Sequence, residues 1–377
     1  MSIKVVELFA GVGGFRLGLE NISSEFETVW FNQWEPNKQK QWAWECYVSH
    51  FGDMLNSNTD ISLVNKNEIS DFDLLVGGSP CCDFSVAHSA NTAYGLEGKK
   101  SSLWWDVYET LKSKHPKYFL LENVDRMLKS PANQKGRDFG IMLYYYNKLG
   151  YTVEWRIITA SNYSNYQKRK RVFIFGSKQE FKPFFNEIFS AIQLDNRIIK
   201  PLNKLSDNIQ NFSFDFGNWG YMKDGYFHTE KVIEKKECLK PLKEILCVAD
   251  KKYYLNEKQI EKFKYLKGSK KIPRVTKDGH EWTYSEGAMT FPEDLNKPSR
   301  TMLTSEGGVN RCSHVVNDNG LRFLTPIECE RLNGFPDGWT ECMPDRMRYF
   351  CMGNALVVPL ISRIGKRILE IDKCQVV

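Results

Sequence analysis

Strand-like and helix-like segments alternate through roughly the first 175 residues, and few architectures satisfy that order. Short apolar runs at 3–8, 27–32, 73–76, 118–121, 152–158 and 171–175 are separated by helix-like stretches at 15–21, 38–51, 103–111 and 137–149. The spacing predicts an α/β fold: a mostly parallel, doubly wound sheet with helices on both faces. In such sheets ligands sit beyond the carboxyl ends of the strands, so the loops that follow strands are where chemistry is expected.

The alternation stops near Lys178, and the stretch from about 181 to 297 is irregular and rich in Lys, Asn, Tyr and Phe. We expect residues 1–180 to form a catalytic and cofactor-binding domain and 181–305 a smaller irregular domain. Residues 306–377 are expected as a further segment, in which regular structure returns from Leu321 and a last helix spans about 357–372. Within it Thr325 caps a helix over 326–332, with Pro326 at its first position and Glu328 three residues after the cap. The chain has 377 residues and 42% apolar content, enough for a sizeable core. No apolar run approaches the ~20 residues of a membrane span, and the N-terminus enters a strand with no signal-peptide pattern. Ten cysteines are irregularly spaced without a CxxC pair, so neither a metal site nor a disulfide framework is expected, and reduced cytoplasmic thiols are. Net charge is +6, yet residues 231–274 alone carry +8, so the basicity is local.

A glycine-rich turn, Phe9-Ala10-Gly11-Val12-Gly13-Gly14, follows the first strand and precedes a helix. Glycine permits the sharp turn and lets a ligand approach the main chain. The sixth position of a dinucleotide fingerprint would be Arg16, and no Walker lysine follows, so neither nucleotide pattern fits. What remains suits S-adenosylmethionine; a tight turn without ligand is the alternative. Gln33-Trp34-Glu35 ends the second strand, where Trp34 could stack on adenine or pack in the core. Asp60, beside Ile61, could accept an adenine amino group or cap a turn.

Cys81, in Gly77-Gly78-Ser79-Pro80-Cys81, follows the third strand, and Glu122, in Leu121-Glu122-Asn123-Val124, ends the next. Cytosine C5 is a poor nucleophile. Thiolate addition at C6 makes it enamine-like, after which it can take a methyl group, lose its proton and release the thiol. Such chemistry needs an accessible thiolate and a group at N3, roles that Cys81 and Glu122 fit. A small buried hydrophobe is the ordinary fate of a cysteine. In Gln167-Lys168-Arg169-Lys170-Arg171, strand alternation puts Gln167, Arg169 and Arg171 on one face, either holding a base and bracing Glu122 or forming a solvated basic edge.

Together these segments resemble the bacterial C5-cytosine DNA methyltransferases of restriction–modification systems. The resemblance continues through Arg322-x-Leu324-Thr325, Glu328, Arg331-Leu332-x-Gly334-Phe335-Pro336 and Gly353-Asn354-Ala355-Leu356-Val357-Val358-Pro359, all in the family's order. It implies a Rossmann-like fold, Cys81 as nucleophile, Glu122 at N3, Arg169 and Arg171 positioning the base, and 306–377 as a return segment whose final helix completes the first domain. It also implies a cofactor site lined by Phe9, Ala10, Gly11, Gly13, Gly14, Trp34, Asp60, Ile61, Pro80, Leu103, Asn354 and Ala355. Three positions depart from the pattern. Cys82 stands where the family usually has glutamine, Glu7 replaces aspartate, and Gln33 occupies the place of the ribose-binding acid, for which Glu35 could substitute.

A base inside a duplex cannot reach Cys81, so the target must flip out. Residues 84–102 are a candidate lid or a plain surface loop, and sequence choice is expected in 181–305, with base-edge contacts sought near 298–308. A solvated lysine-rich face is the alternative for 231–274. The expected partner is double-stranded DNA, with a separate cognate endonuclease, a monomeric chain and no metal. A tRNA cytosine-5 methyltransferase and a catalytically weak DNA-binding regulator are the alternatives.

Overall fold

The computed structural model describes residues 2–53, 55–78, 103–130, 134–193, 198–202, 213–276 and 278–374. Strands β1 (Ile3–Leu8) and β2 (Phe26–Asn32) appear close to their expected places, a short β3 (Asn56–Ser57) follows that the apolar runs did not mark, and β4 (Leu74–Gly77), β5 (Tyr118–Val124), β6 (Thr152–Thr159) and β7 (Lys170–Ser177) again lie close to theirs. After the short β8 (Ala191–Gln193) come β9 (Ile198–Pro201), β10 (Trp219–Lys223), β11 (Tyr226–Glu230) and β12 (Val232–Glu234). Ten of them form one sheet in the order β3-β2-β1-β4-β5-β7-β6-β10-β11-β9.

Side-chain alternation divides the core in two. Val5, Leu74, Val76, Tyr118 and Leu120 face one apolar layer, and Val6, Leu8, Leu75, Phe119 and Leu121 face the other. Helices α1 (Gly14–Glu20), α2 (Trp42–Phe51), α3 (Leu103–Lys114) and α4 (Arg137–Lys148) alternate with the strands. Trp104, Trp105, Phe139 and Met142 of α3 and α4 belong to the second layer, and Phe15 and Leu19 of α1 to the first. Strands buried on both faces read as continuous apolar runs, which is why Leu74-Leu75-Val76 is recognisable.

The parallel character is confined to β3-β2-β1-β4-β5; from β7 onward every pairing is antiparallel. The cause is connection length. Only ten residues, 160–169, separate β6 from β7, too few for a helical crossover, so β7 returns beside β6. The boundary expected after residue 180 falls inside this sheet, because β10 pairs with β6 and is extended by β11 and β9.

Beyond the sheet lie a 3-10 turn (Leu242–Ile245), a short helix α5 (Phe185–Ile188), α6 (Glu257–Lys267) and a separate hairpin of β13 (Lys270–Val275) and β14 (Glu281–Glu286). The chain then forms β15 (Val315–Asn317), β16 (Leu321–Phe323), α7 (Pro326–Asn333), α8 (Asp345–Asn354) and α9 (Val358–Cys374). Thr325 and Glu328 make both arms of the capping box that starts α7. The last helix packs on the first: Ser362 Oγ donates to Gly18 O at 2.7 Å, and a Cβ on Gly18 would stand 2.7 Å from Ile361.

Candidate active site

The carboxyl ends of β2, β1, β4 and β5 lie side by side, with Leu8 opposite Asn32 and Gly77, and Gly77 opposite Leu121. The loops after these strands therefore meet along one edge. Gly11 and Gly13 both take left-handed φ, +56° and +87°. No described atom lies within 4 Å of a Cβ placed on Gly11, which leaves open room above the turn for a ligand. Gln33 is buried and its Oε1 accepts the Gly11 N–H at 2.7 Å, so Gln33 braces the turn from the neighbouring strand. Glu35 is also committed within the protein: its Oε2 accepts the N–H of Ala43 in the first turn of α2, and burial raises its carboxyl. Gln41 clasps the loop before that helix through Glu35 and Lys38, which is why α2 starts at Trp42 rather than near residue 38.

Trp34 is 37% exposed at the edge, not packed in the core. Asp60 caps a 3-10 turn, its Oδ1 accepting from Ser62 N at 3.0 Å, with Ile61 buried beneath it. That loop is pinned by a residue the sequence did not single out. Buried Asn32 donates to Ser57 O and Thr59 O at 3.0 and 2.9 Å. Trp339 is a second such residue: its indole N–H donates to Val12 O at 2.8 Å, fastening the glycine turn from the far end of the chain. Phe9 carries a φ of +56°, Ala10 is buried, Gly14 opens α1 and Leu103 opens α3. Pro80, Cys81, Cys82 and the candidate lid 84–102 lie outside the described residues.

Glu122 is mostly buried at the end of β5, and its Oε2 would lie 3.3 Å from a Cβ on Gly78. Arg171 approaches from β7, opposite Val124, with Nε 2.9 Å from Glu122 Oε1. The pair is close but not aligned as a hydrogen bond, so Oε1 has no donor among the described residues. A carboxyl group thus sits beside Gly78, which precedes Cys81 by three residues in the sequence, with an arginine next to it and the glycine turn on the same sheet edge.

Arg169 has a different setting from the base contact expected of it. It is buried, and its guanidinium donates to Met302 O, Gly353 O and Asn354 O at 3.4, 3.1 and 3.1 Å. Gln167, also buried, donates to Leu332 O and Asn333 Oδ1 at 3.2 and 2.6 Å. These two side chains stitch the 298–304 stretch and the Asn354-Ala355 turn to the sheet, leaving the Asn354 side chain exposed. A solvated edge strand is excluded, since β7 lies between β5 and β6.

Beneath the turn, Glu7 is buried and accepts from the Tyr47 hydroxyl at 3.1 Å. Burial pushes its carboxyl up to about 8, against the opposing pull of Tyr47 and Arg16. The folded chain holds this proton where the unfolded chain has released it. Glu7 therefore supports folding fully below its ordinary value of 4.5, and that support is lost as pH rises towards about 8. Glu7→Gln should remove this slope. Relative to wild type, the variant is expected to gain on the order of a few kcal/mol between about pH 5 and pH 8. Urea midpoints of both chains at the two pH values check this; parallel curves would refute it.

A cleft of about 1090 Å³ opens next to this edge, lined among others by Lys38, Lys40, Lys252, Arg346, Tyr253 and Phe350. Among the described residues no group of three metal-ligating side chains converges, and no helix is long and apolar enough to cross a membrane.

The model of C-5 cytosine-specific DNA methylases matches residues 3–370. The chain belongs to the C-5 cytosine-specific DNA methylase family. The methylase is 50% identical to the Type II methyltransferase M.Sau3AI of Staphylococcus aureus over 98% of this chain and 96% of that protein. It is 28% identical to the Type II methyltransferase M.HpaII of Haemophilus parainfluenzae over 97% and 88% of the two chains. The fold is similar to that of the S. pombe Dnmt2 methyltransferase, with a TM-score of 0.63 at 15% identity over 98% of both chains. The enzyme is a DNA cytosine-5 methyltransferase, and membership implies S-adenosylmethionine as its methyl source. The open room above Gly11, the exposed Trp34 ring and the Asp60 carboxylate suit that molecule.

Proposed function

We propose that the methylase extrudes a cytosine from duplex DNA and attacks C6 with Cys81 while Glu122 shares a proton with N3. The observation that carries this reading is the Glu122 carboxyl beside Gly78, with Arg171 at 2.9 Å and the glycine turn along the same edge. The Cys81 thiolate forms the bond to C6, and the ring electrons gather towards C5 as N3 is hydrogen-bonded. Bound S-adenosylmethionine supplies the electrophilic methyl group. Arg171 holds the Glu122 carboxyl in place, and Arg169 acts at one remove by fixing the Asn354 turn. Loss of the C5 proton and departure of Cys81 restore the aromatic ring and free the enzyme. Phe9, Ala10, Gly11, Gly13, Gly14, Gln33, Trp34, Asp60, Ile61, Pro80, Leu103, Asn354 and Ala355 form or brace the cofactor site. The chain acts as a cytoplasmic monomer, the modification half of a restriction–modification system beside a separate endonuclease.

Sequence choice is assigned to the hairpin β13–β14. It is a two-stranded sheet of its own and is largely exposed. Such a ribbon fits the major groove, while an isolated hairpin gains little stability by itself. Its base is fixed: Lys270 and Arg311 both pair with Glu286 at 3.2 Å, and Arg311 donates to Leu266 O and Gly287 O. Beyond that base, Arg274 stacks over Tyr284 at 4.6 Å beside the exposed Trp282. Residues 251–274 leading into it hold nine Lys and Arg against two Glu, a charge suited to phosphates. Arg274→Ala should raise methylation of near-cognate motifs relative to the cognate one by about tenfold, since a good base contact discriminates by ~1–3 kcal/mol. Bisulfite sequencing of a mixed-sequence duplex reads this directly, and an unchanged motif profile would remove Arg274 from the reading head.

Labelled S-adenosylmethionine, mixed-sequence duplex DNA and, in parallel, tRNA test the function itself. Label entering DNA at one short motif and absent with Cys81→Ser is the expected result. Transfer to tRNA instead, or cofactor binding without transfer to either, would overturn it in favour of the RNA enzyme or the regulator.

A further inference from the structure

The cleft beside the active edge takes no part in the chemistry derived above. Its volume of about 1090 Å³ exceeds the ~300–1,000 Å³ of a typical small-molecule pocket. Its cations come from three separate stretches: Lys38 and Lys40 after β2, Lys252 ahead of α6, and Arg346 in the first turn of α8. Two carboxylates also line it, and both are already committed. Asp345 accepts from Lys252 Nζ at 2.7 Å and from the Tyr253 hydroxyl at 2.9 Å. Glu306 is buried, accepts the His314 backbone N–H at 2.6 Å and meets its ring Nδ1 at 2.8 Å. Lys38 and Arg346 are exposed, and neither has a carboxylate of the described residues within 4.0 Å. The wall is therefore positive where it faces solvent. Cations set apart on three stretches suit a chain of phosphates rather than one compact anion.

We propose that this cleft holds the phosphate backbone of duplex DNA outside the recognised motif, on one side of the target base, with Lys38 and Arg346 as its two contacts. The placement rests on Glu122 marking where that base stands. In the sheet β2 lies three strands from β5, in the order β2-β1-β4-β5. At ~4.7–4.9 Å per strand, the loop that carries Lys38 is about 14 Å from the end of β5. Phosphates of one strand recur about every 3.4 Å along the duplex axis, so the cleft meets the backbone about four nucleotides from the extruded cytosine. The hairpin β13–β14 lines no part of the cleft, so these contacts are separate from base reading. Phosphate contacts set affinity and register without reading sequence. Affinity should then depend on the length of one flank and not of the other.

The test measures binding by fluorescence anisotropy over a range of salt concentrations. The duplexes carry the motif found by bisulfite sequencing, with the cytosine of one strand already methylated so that a single target remains. One duplex has long flanks on both sides, and in two others one flank or the other is trimmed back to the motif. Trimming one flank, and not the other, should make the wild-type slope of log affinity against log salt shallower by about 2, at ~0.9 per phosphate contact. Lys38→Gln combined with Arg346→Gln should show that shallower slope on the long duplex, and trimming should then add nothing. Lys112→Gln combined with Lys366→Gln, two exposed lysines on α3 and α9 outside the cleft, should keep the wild-type slope. A wild-type slope indifferent to both flanks, a slope lowered equally by trimming either, or a Lys38 and Arg346 double variant that matches wild type would each overturn the proposal. Methyl transfer to the same duplexes reports separately on Cys81 and Glu122, so a failed cleft and a failed target site are told apart.

Discussion

Glu122→Gln is expected to lower methyl transfer to DNA by about 10²–10⁴-fold, the usual range for loss of a positioned acid or base. Glutamine keeps the shape of the side chain at the end of β5 and its place beside Gly78, but it cannot share a proton with N3. Without that exchange the charge that develops as C6 is attacked stays on the ring. Cofactor binding should be unchanged, because the glycine turn, Gln33 and Trp34 stand on β1 and β2. The measurement is single-turnover transfer alongside cofactor titration by fluorescence. Full activity would dismiss Glu122 from the chemistry. Loss of cofactor binding together with transfer would mean that the residue supports the sheet edge instead.

The largest loss of stability is expected at Arg322. Its guanidinium is fully buried and donates to both oxygens of Glu328, at 2.9 and 2.8 Å, and to Asp318 at 2.8 Å. Glu328 is equally buried and also accepts the N–H groups of Thr325 and Cys247, at 2.7 and 2.9 Å. One ion pair thus joins β16, the cap of α7 and the segment after the Leu242–Ile245 turn. Arg322→Met leaves the Glu328 carboxylate buried without its cation, which costs about 3–5 kcal/mol. The exposed pair Lys297–Asp294 is the control, since Lys297→Met should change stability by at most ~1 kcal/mol. Urea unfolding compares the two, and combining Arg322→Met with Glu328→Leu should recover part of the loss. Equal midpoints for Arg322→Met and Lys297→Met would refute the account.

The first half of the sheet was readable because strands buried on both faces are written as apolar runs, as in Leu74-Leu75-Val76, and because the helices between them are long. The antiparallel half was also encoded but less visibly. Asp224-Gly225, with left-handed φ values of +50° and +77°, makes the tight turn between β10 and β11, and Asp-Gly between alternating residues is a hairpin signal. It lay unread in a stretch that composition marked as irregular. Glu122 and the glycine turn could be placed from the strands they follow. The settings of Arg169 and Trp339 could not, because their partners lie 133 to 185 and 327 residues away. Local pattern carries no information about such closures. Gln33 and Glu35 show a related limit: the strand end marks Gln33 as standing at the ribose position and Glu35 as its possible substitute, but it gives no sign that their side-chain oxygens accept the N–H groups of Gly11 and Ala43.

The packing of α9 on α1 has a consequence for how the chain is made. Leu17 and Leu19 leave the ribosome well before the surface that covers them, around Ile361 and Gly365, is synthesised. At about 5–20 residues per second the interval is on the order of tens of seconds. For all that time the first βα unit, which carries the cofactor turn, has an uncovered apolar flank. The nascent protein is therefore expected to need a holding chaperone, and to become competent for its cofactor only once α9 has been made and has docked on α1.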